Sequence, residues 1–345
     1  MIKRYIELKE ESRAKEINKD GVKHMSDNIE ERLVGVQKTT VKKLVDGGYD
    51  TLQSIISVDA EKLSSATGVS VATCEKIIEK AKDAYVMTAS TSAEDLYLKE
   101  KDEIRLTTGS KNLDRLIGGG LRGGVLTQFF GKNGCGKTQV CLTLCVTAQN
   151  NPEDGGLGGS VMYLDTEGSF RSARLTQIAE GMGYDEQKVQ KIRENTYVYS
   201  VTSHEQQVDI IKRLDALTKD KNIKLIIIDS VISLFRAEYI GREMLSERQQ
   251  MLANHLGDLK TFARKNDIVV VVTNQAQDDP SGFAFGDAFK PTGGNVVNHN
   301  TNYSIMLKKA LATKRIAKLV KSPDLENGET MFFVLGKGIC DADSE

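Results

Sequence analysis

From Ile29 to Lys82 apolar residues recur at helical spacing, as Val41, Leu44 and Val45 and then Ile77, Ile78 and Ala81, with only short Gly or polar breaks between them. That period predicts a small helical domain over residues 27–84. Further along, apolar runs from Gly124 to Phe130, Val161 to Leu164, Leu225 to Ile228 and Val269 to Val272 alternate with segments of helical period such as Thr138 to Gln149 and Glu205 to Leu217. Strands alternating with helices predict an α/β domain, a parallel sheet covered by helices, over residues 107–345. A Ser/Thr/Ala stretch, Thr88 to Ala93, marks a linker within residues 85–106. Residues 1–26 are dense in Lys and Glu and too poor in apolar residues to build a core, so a charged flexible arm is expected, followed by the N-cap pattern Ser26-Asp27-Asn28. Met25 stands as an alternative start.

Composition narrows the class. The 345 residues are 39% hydrophobic and 28% charged, the profile of a globular chain rather than a disordered or fibrous one. With 47 basic against 48 acidic residues the net charge is -1, so any nucleic-acid surface must be a local patch. The five cysteines form no CxxC pair, which predicts reduced thiols, a cytoplasmic or nuclear compartment and no zinc site. No apolar run is long enough to span a bilayer, and no membrane partner is expected.

Within the helical domain, Leu63 to Val69, followed by Cys74 and Ile77, has the layout of a helix-hairpin-helix whose Gly68 turn presents backbone N–H groups to a phosphate. A helical protein-interaction module fits the same pattern equally well. In the second domain the first strand runs into Gly131-Lys132-Asn133-Gly134-Cys135-Gly136-Lys137-Thr138, and a helical pattern follows, the context a P-loop requires. Its glycines let backbone N–H groups converge on phosphates; Lys137 neutralises β- and γ-phosphate charge, and the Thr138 hydroxyl coordinates Mg²⁺. Leu225 to Asp229 is the matching strand that delivers a metal-holding carboxylate, Asp229, to the ligand-binding edge of the sheet. A nucleotide and Mg²⁺ are therefore the expected cofactors. Glu167, after another strand, is chosen to polarise the attacking water. Gln275, at a third strand tip, reads equally as a γ-phosphate sensor or as a simple cap. Cys135, beside Lys137 and a helix N-terminus, is expected to have a lowered pKa and to be oxidation-sensitive, which ATP protection from alkylation tests.

The P-loop, Tyr163 to Arg171, Ser246 to Gln250, Val272 to Gln275 and Pro291-Thr292-Gly293-Gly294-Asn295 together resemble the RecA/RadA strand-exchange recombinases, the archaeal branch above all, over roughly residues 29–345. The resemblance makes the nucleotide ATP and implies a RecA-type core and a DNA-dependent ATPase, with Lys137, Glu167 and Gln275 as its catalytic residues. Such an enzyme polymerises on single-stranded DNA, pairs it with homologous duplex and exchanges strands in recombinational repair. It implies self-association in helical filaments or, without DNA, rings, and recombination mediators as further partners. It also implies a cytoplasmic, nucleoid-associated location, or a nuclear one in a eukaryote. In the nucleotide site it adds Gln139 as an ATP-binding residue, Arg174 and Gln177 toward the adenine, Lys321 and Pro323 in a cap from the adjacent protomer, and His299 as a relay across the subunit interface. For DNA it implies Arg236 and Arg242 in a first loop, and a second loop from Ala276 to Lys290 in which Phe283, Phe285 and Phe289 act as wedges or stacking platforms. Gly293, Gly294 and Asn295 would offer main-chain N–H groups to the DNA backbone.

Two departures stand out. Where the family carries a Phe-x-x-Ala polymerisation motif, this chain has Ser90-Thr91-Ser92-Ala93, so the Ala is present and the Phe is not. Weaker self-association follows unless Tyr85 or Met87 supplies the anchor. Where relatives have an Asp before Ser-Pro, thought to hold a monovalent cation, this chain has Lys321, whose ammonium would replace that cation against the γ-phosphate. The competing readings are a non-filamenting paralogue or mediator that binds ATP and DNA, favoured by Ser90, and a RecA-fold helicase or clock-type ATPase, which the DNA-loop segments do not fit.

Overall fold

The helical period of the first segment closes on itself in the computed structural model, which describes residues 29–88, 92–241, 243–278, 289–293 and 295–341. The chain divides into two compact units, the first ending at Asp102 and the second beginning at Glu103. In the first, α1 (Ile29–Arg32), α2 (Lys38–Asp46), α3 (Leu52–Ile56), α4 (Ala60–Thr67) and α5 (Val71–Thr88) bury Leu33, Leu44, Ile55, Leu63, Cys74 and Ile77 against one another. Thr51 and Ser54 form a reciprocal capping box at α3, and Asp59 caps α4 by accepting from the Lys62 N–H. Gly68 ends α4 in the left-handed conformation (φ 66°), which makes the sharp turn into α5. The segment expected as a linker contains a further helix, α6 (Ala93–Lys101), capped by Ser92 and with no buried residue.

In the second unit two short strands, β1 (Arg105–Leu106) and β2 (Leu121–Arg122), pair around α7 (Lys111–Leu116). The main sheet then forms from β3 (Leu126–Gly131), β4 (Ser160–Asp165), β5 (Thr196–Ser200), β6 (Ile223–Asp229) and β7 (Val269–Asp278). Between them run α8 (Lys137–Thr147), α9 (Ser172–Gly181), α10 (Glu186–Glu194), α11 (His204–Lys212), α12 (Leu214–Thr218), α13 (Ser233–Glu238) and α14 (Leu245–Asn266). After β8 (Phe289–Pro291) and α15 (Asn295–Asn300) come β9 (Tyr303–Lys309), β10 (Lys314–Lys321), β11 (Gly328–Leu335) and β12 (Gly338–Cys340). The order is β12-β11-β10-β9-β3-β7-β6-β4-β5, with β8 attached antiparallel to β7.

From β9 to β5 all pairings are parallel, as expected, but β10, β11 and β12 extend the sheet as an antiparallel meander. Both faces of the parallel half are covered. Leu225, Ile227, Val269 and Val271 pack toward α8, α9 and α10, while Ile226, Ile228, Val270 and Val272 pack toward α11, α13 and α14. That double burial is why these strands read as unbroken apolar runs instead of alternating ones. Among the described residues no helix is long and apolar enough to cross a membrane.

Candidate nucleotide site and the loops around it

β3 ends at Gly131 and α8 starts at Lys137, so residues 132–136 form one loop at the C-terminal edge of the parallel strands. Gly134 (φ 75°) and Gly136 (φ 106°) take conformations that side-chain-bearing residues rarely adopt, and Gly136 is the N-cap of α8. A Cβ on Gly131 would come within 2.3 Å of the Leu307 carbonyl oxygen, so close packing against β9 requires glycine there. Lys137 folds its ammonium back to donate to the Gly131 and Lys132 carbonyls at 3.0 and 3.4 Å. Cys135 is buried, and burial pushes its thiol up, outweighing the opposing pull of Lys137. The expected lowered pKa is therefore corrected: desolvation dominates at this site.

Arg315, on β10, was not singled out from the sequence. Its Nη1 donates to the Ala312 and Lys314 carbonyls at 2.8 and 2.9 Å, while its buried Nε has no hydrogen-bond partner and lies 3.6 Å from where a Gly136 Cβ would sit. A second cation thus stands beside the residue 132–136 loop. Nothing in local spacing foretells it, because the β9–β10 hairpin brings it in from far along the chain.

Asp229 is 1% exposed and accepts three hydroxyl hydrogen bonds: from Thr138 at 2.7 Å and Tyr163 at 2.8 Å on Oδ2, and from Thr273 at 2.5 Å on Oδ1. α8, β4 and β7 converge on one carboxylate at the end of β6. A threonine hydroxyl beside a fixed carboxylate is an all-oxygen donor set, which suits Mg²⁺. The Asp229–Ser230 peptide is cis. Ser230 exchanges backbone hydrogen bonds with the Thr166 hydroxyl at 2.7 Å and donates its own hydroxyl to Glu167 Oε1 at 2.7 Å. Asp165 accepts from the Ser169 and Phe170 N–H groups, each at 3.0 Å, and so shapes the loop that carries Glu167. Glu167 itself is exposed.

Gln139, Arg174 and Gln177 come together as one cluster: Arg174 donates from Nε to Gln139 Oε1 at 2.8 Å and from Nη1 to Gln177 Oε1 at 2.7 Å, and its Nη2 reaches the Leu335 carbonyl at 2.6 Å. Gln275 accepts from Arg236 Nη1 at 3.1 Å. Lys321 behaves differently from expectation. Its ammonium donates to the Asn298 carbonyl and, at 2.6 Å, to the Thr301 carbonyl, so within its own subunit it caps the negative end of α15. His299, on that helix, is exposed. Pro323 lies in the turn after β10, where the Ser322 hydroxyl accepts from the Asp324 and Leu325 N–H groups at 3.1 and 2.8 Å.

Gly293 (φ 93°) is required by packing as well as by conformation, since a Cβ would press on Ile232 and Val297 at 2.6 and 2.8 Å. Asn295 opens α15. Phe289 offers its ring to Lys132, whose Nζ stands 4.3 Å from the centroid. Arg242, Gly294, Phe283, Phe285 and the Ser90-Thr91 positions lie outside the described residues, as do the side chains of Met87 and Asn295.

Residues 99–342 match the Rad51 family model, and residues 32–83 match a SAM-like helix-hairpin-helix tandem. The chain is 42% identical over 310 residues to the DNA repair and recombination protein RadA of Aeropyrum pernix, covering 90% of this chain and 95% of that one.

Proposed function

The chain belongs to the Rad51 family, and from that premise we propose that it is an ATP-dependent DNA recombinase that forms filaments on single-stranded DNA and drives pairing and strand exchange in repair. The observation that carries this reading is the Thr138–Asp229 contact at 2.7 Å with Glu167 held across Ser230 at 2.7 Å, a phosphate loop, a metal-holding carboxylate and a hydrolytic carboxylate on one sheet edge. Thr138 and Asp229 would hold Mg²⁺, which when bound neutralises phosphate charge. The loop N–H groups and Lys137 bind the phosphates, and Arg315 supplies further positive charge beside them. Glu167 orients the attacking water and accepts its proton, while Gln139, Arg174 and Gln177 face the base. Arg236, Arg242 and the segment that joins β7 to β8 contact DNA, and Gln275 reports nucleotide state to them.

The experiment is electron microscopy of the protein with ATP, Mg²⁺ and single-stranded DNA beside a Lys137→Ala control. Regular helical filaments absent from the control are expected, followed by strand exchange in solution. Isolated particles that bind ATP and DNA would replace this reading with a mediator.

A further inference from the structure

α11 begins at His204 and α13 ends at Glu238, and these two helix ends meet on the face of the sheet away from α8. His204 is 7% exposed, wedged against the Phe235 and Tyr239 rings at centroid distances of 5.8 and 5.2 Å. Its Nε2 lies 3.4 Å from the Tyr239 hydroxyl. Its Nδ1 is buried and has no hydrogen-bond partner, although Glu205 Oε2 is only 3.4 Å away. Donor atoms of His204, Glu205 and Glu238 all lie within 4.8 Å of one another. His204 and Glu205 line an open cavity of about 460 Å³ together with Asp209, Lys212 and Met251.

We propose that His204, Glu205 and Glu238 bind a divalent cation of the zinc class, with water completing its coordination. A buried ring nitrogen left without a partner is costly, and a metal ion satisfies it while neutralising two carboxylates. One imidazole with two carboxylates selects zinc, cobalt or nickel over Mg²⁺, whose preference is for oxygen alone. Bond lengths near 2.1 Å put tetrahedral ligand atoms about 3.4 Å apart. Both glutamates are exposed, Glu205 being held by the Ser203 hydroxyl and its own backbone N–H, whereas packing fixes the histidine ring, so closing to that spacing falls to the two carboxylates. Donation from Nε2 to the Tyr239 hydroxyl leaves Nδ1 with its lone pair free for the metal. None of the five cysteines takes part, so their spacing carried no hint of this site.

A cation here ties the start of α11 to the end of α13, which runs directly into Tyr239, Ile240 and Gly241. On the recombinase reading that segment opens the first DNA loop; this consequence rests on that reading, while the site itself does not.

The test is calorimetric titration of metal-free full-length protein with Zn²⁺ in excess Mg²⁺, which saturates the Thr138–Asp229 site. One Zn²⁺ per chain at micromolar affinity or tighter is expected, weakened at least tenfold in Glu205→Gln/Glu238→Gln, two exposed substitutions that leave the thermal melt unchanged. Co²⁺ should give a paramagnetically shifted imidazole proton signal that is absent from that variant. An unchanged dissociation constant in the double variant, or no saturable Zn²⁺ binding by the parent protein, would overturn the proposal. The first outcome would put the metal elsewhere and the second would leave Nδ1 to a proton shared with Glu205.

Discussion

Arg236 in the last turn of α13 donates from Nη1 to Oε1 of Gln275, three residues before the end of β7, 3.1 Å away. One contact therefore joins the arginine expected to meet DNA to the amide expected to meet the γ-phosphate. A hydrogen bond with one charged partner is worth about 1.5–3 kcal/mol, less where water competes. Gln275→Ala should cut the DNA-stimulated ATPase rate about tenfold, the equivalent of roughly 1.4 kcal/mol, while the DNA-free rate stays within about twofold. Steady-state rates with and without single-stranded DNA check this. An equal loss in both would mean that Gln275 serves the chemistry directly and transmits nothing.

Lys321 sits on the carbonyls of Asn298 and Thr301, and burial lowers its pKa from the ordinary lysine value, with Lys260 adding to the effect. A fixed ammonium occupies the electronegative end of α15, the helix that carries His299. The ATPase should then be nearly indifferent to exchanging potassium for sodium. Lys321→Asp should create a potassium requirement, because the carbonyls and the new carboxylate form an oxygen site for a monovalent ion. A wild-type rate that climbs steeply with potassium and not with sodium would count against a built-in cation.

On α6 three consecutive apolar side chains are exposed: Leu96 at 46%, Tyr97 at 61% and Leu98 at 50%. They lie a few residues beyond Ser90, where relatives place a phenylalanine, and they offer more free apolar surface than Tyr85 at 41%. We expect Tyr97 and Leu98, rather than Tyr85, to anchor the next subunit. Burial of one such side chain is worth about 1.5–3 kcal/mol, so Tyr97→Ser/Leu98→Ser should weaken self-association by at least about tenfold in light scattering. Tyr85→Ser should leave it unchanged. The reverse ranking would restore the shifted-register anchor.

The phosphate loop was legible because its chemistry is local: Gly131 to Thr138 are contiguous, and the strand before them and the helix after them share the same short window. The parallel strands were legible because burial on both faces leaves no polar position to interrupt Leu225 to Ile228 or Val269 to Val272. The antiparallel meander was not, since β10 and β11 are largely half-exposed and mix lysines and glutamates with their apolar residues. The support of Asp229 was also hidden. Tyr163 and Thr273 stand 66 and 44 positions from it, and the motifs they belong to give no sign that either supports Asp229. Only the sheet order, with β6 between β4 and β7, makes them neighbours. Arg315 and His204 were missed for the same reason, as single residues whose meaning depends on what another element leaves unpaired beside them.

His255, on α14, gives the stability of the second unit a predictable acid limit. It is 2% exposed, packs against Phe235 at 5.3 Å between centroids, and its Nε2 stands 3.0 Å from Gln207 Nε2, which also donates to the Val231 carbonyl. With the amide donating, Nε2 is the acceptor and the ring is neutral. Burial pushes its pKa from 6.5 to about 4. As pH falls below 6.5 the unfolded chain takes up a proton that the folded chain refuses until about 4, so stability is full above 6.5 and is lost across that window. The loss amounts to about 3 kcal/mol at most. Chemical-denaturation midpoints between pH 7 and 4.5 should drop more steeply for the wild type than for His255→Leu, which gives up the Gln207 contact at every pH but has no proton to exclude. Parallel pH profiles for the two proteins would show that His255 is protonated in the fold and that the acid limit lies elsewhere.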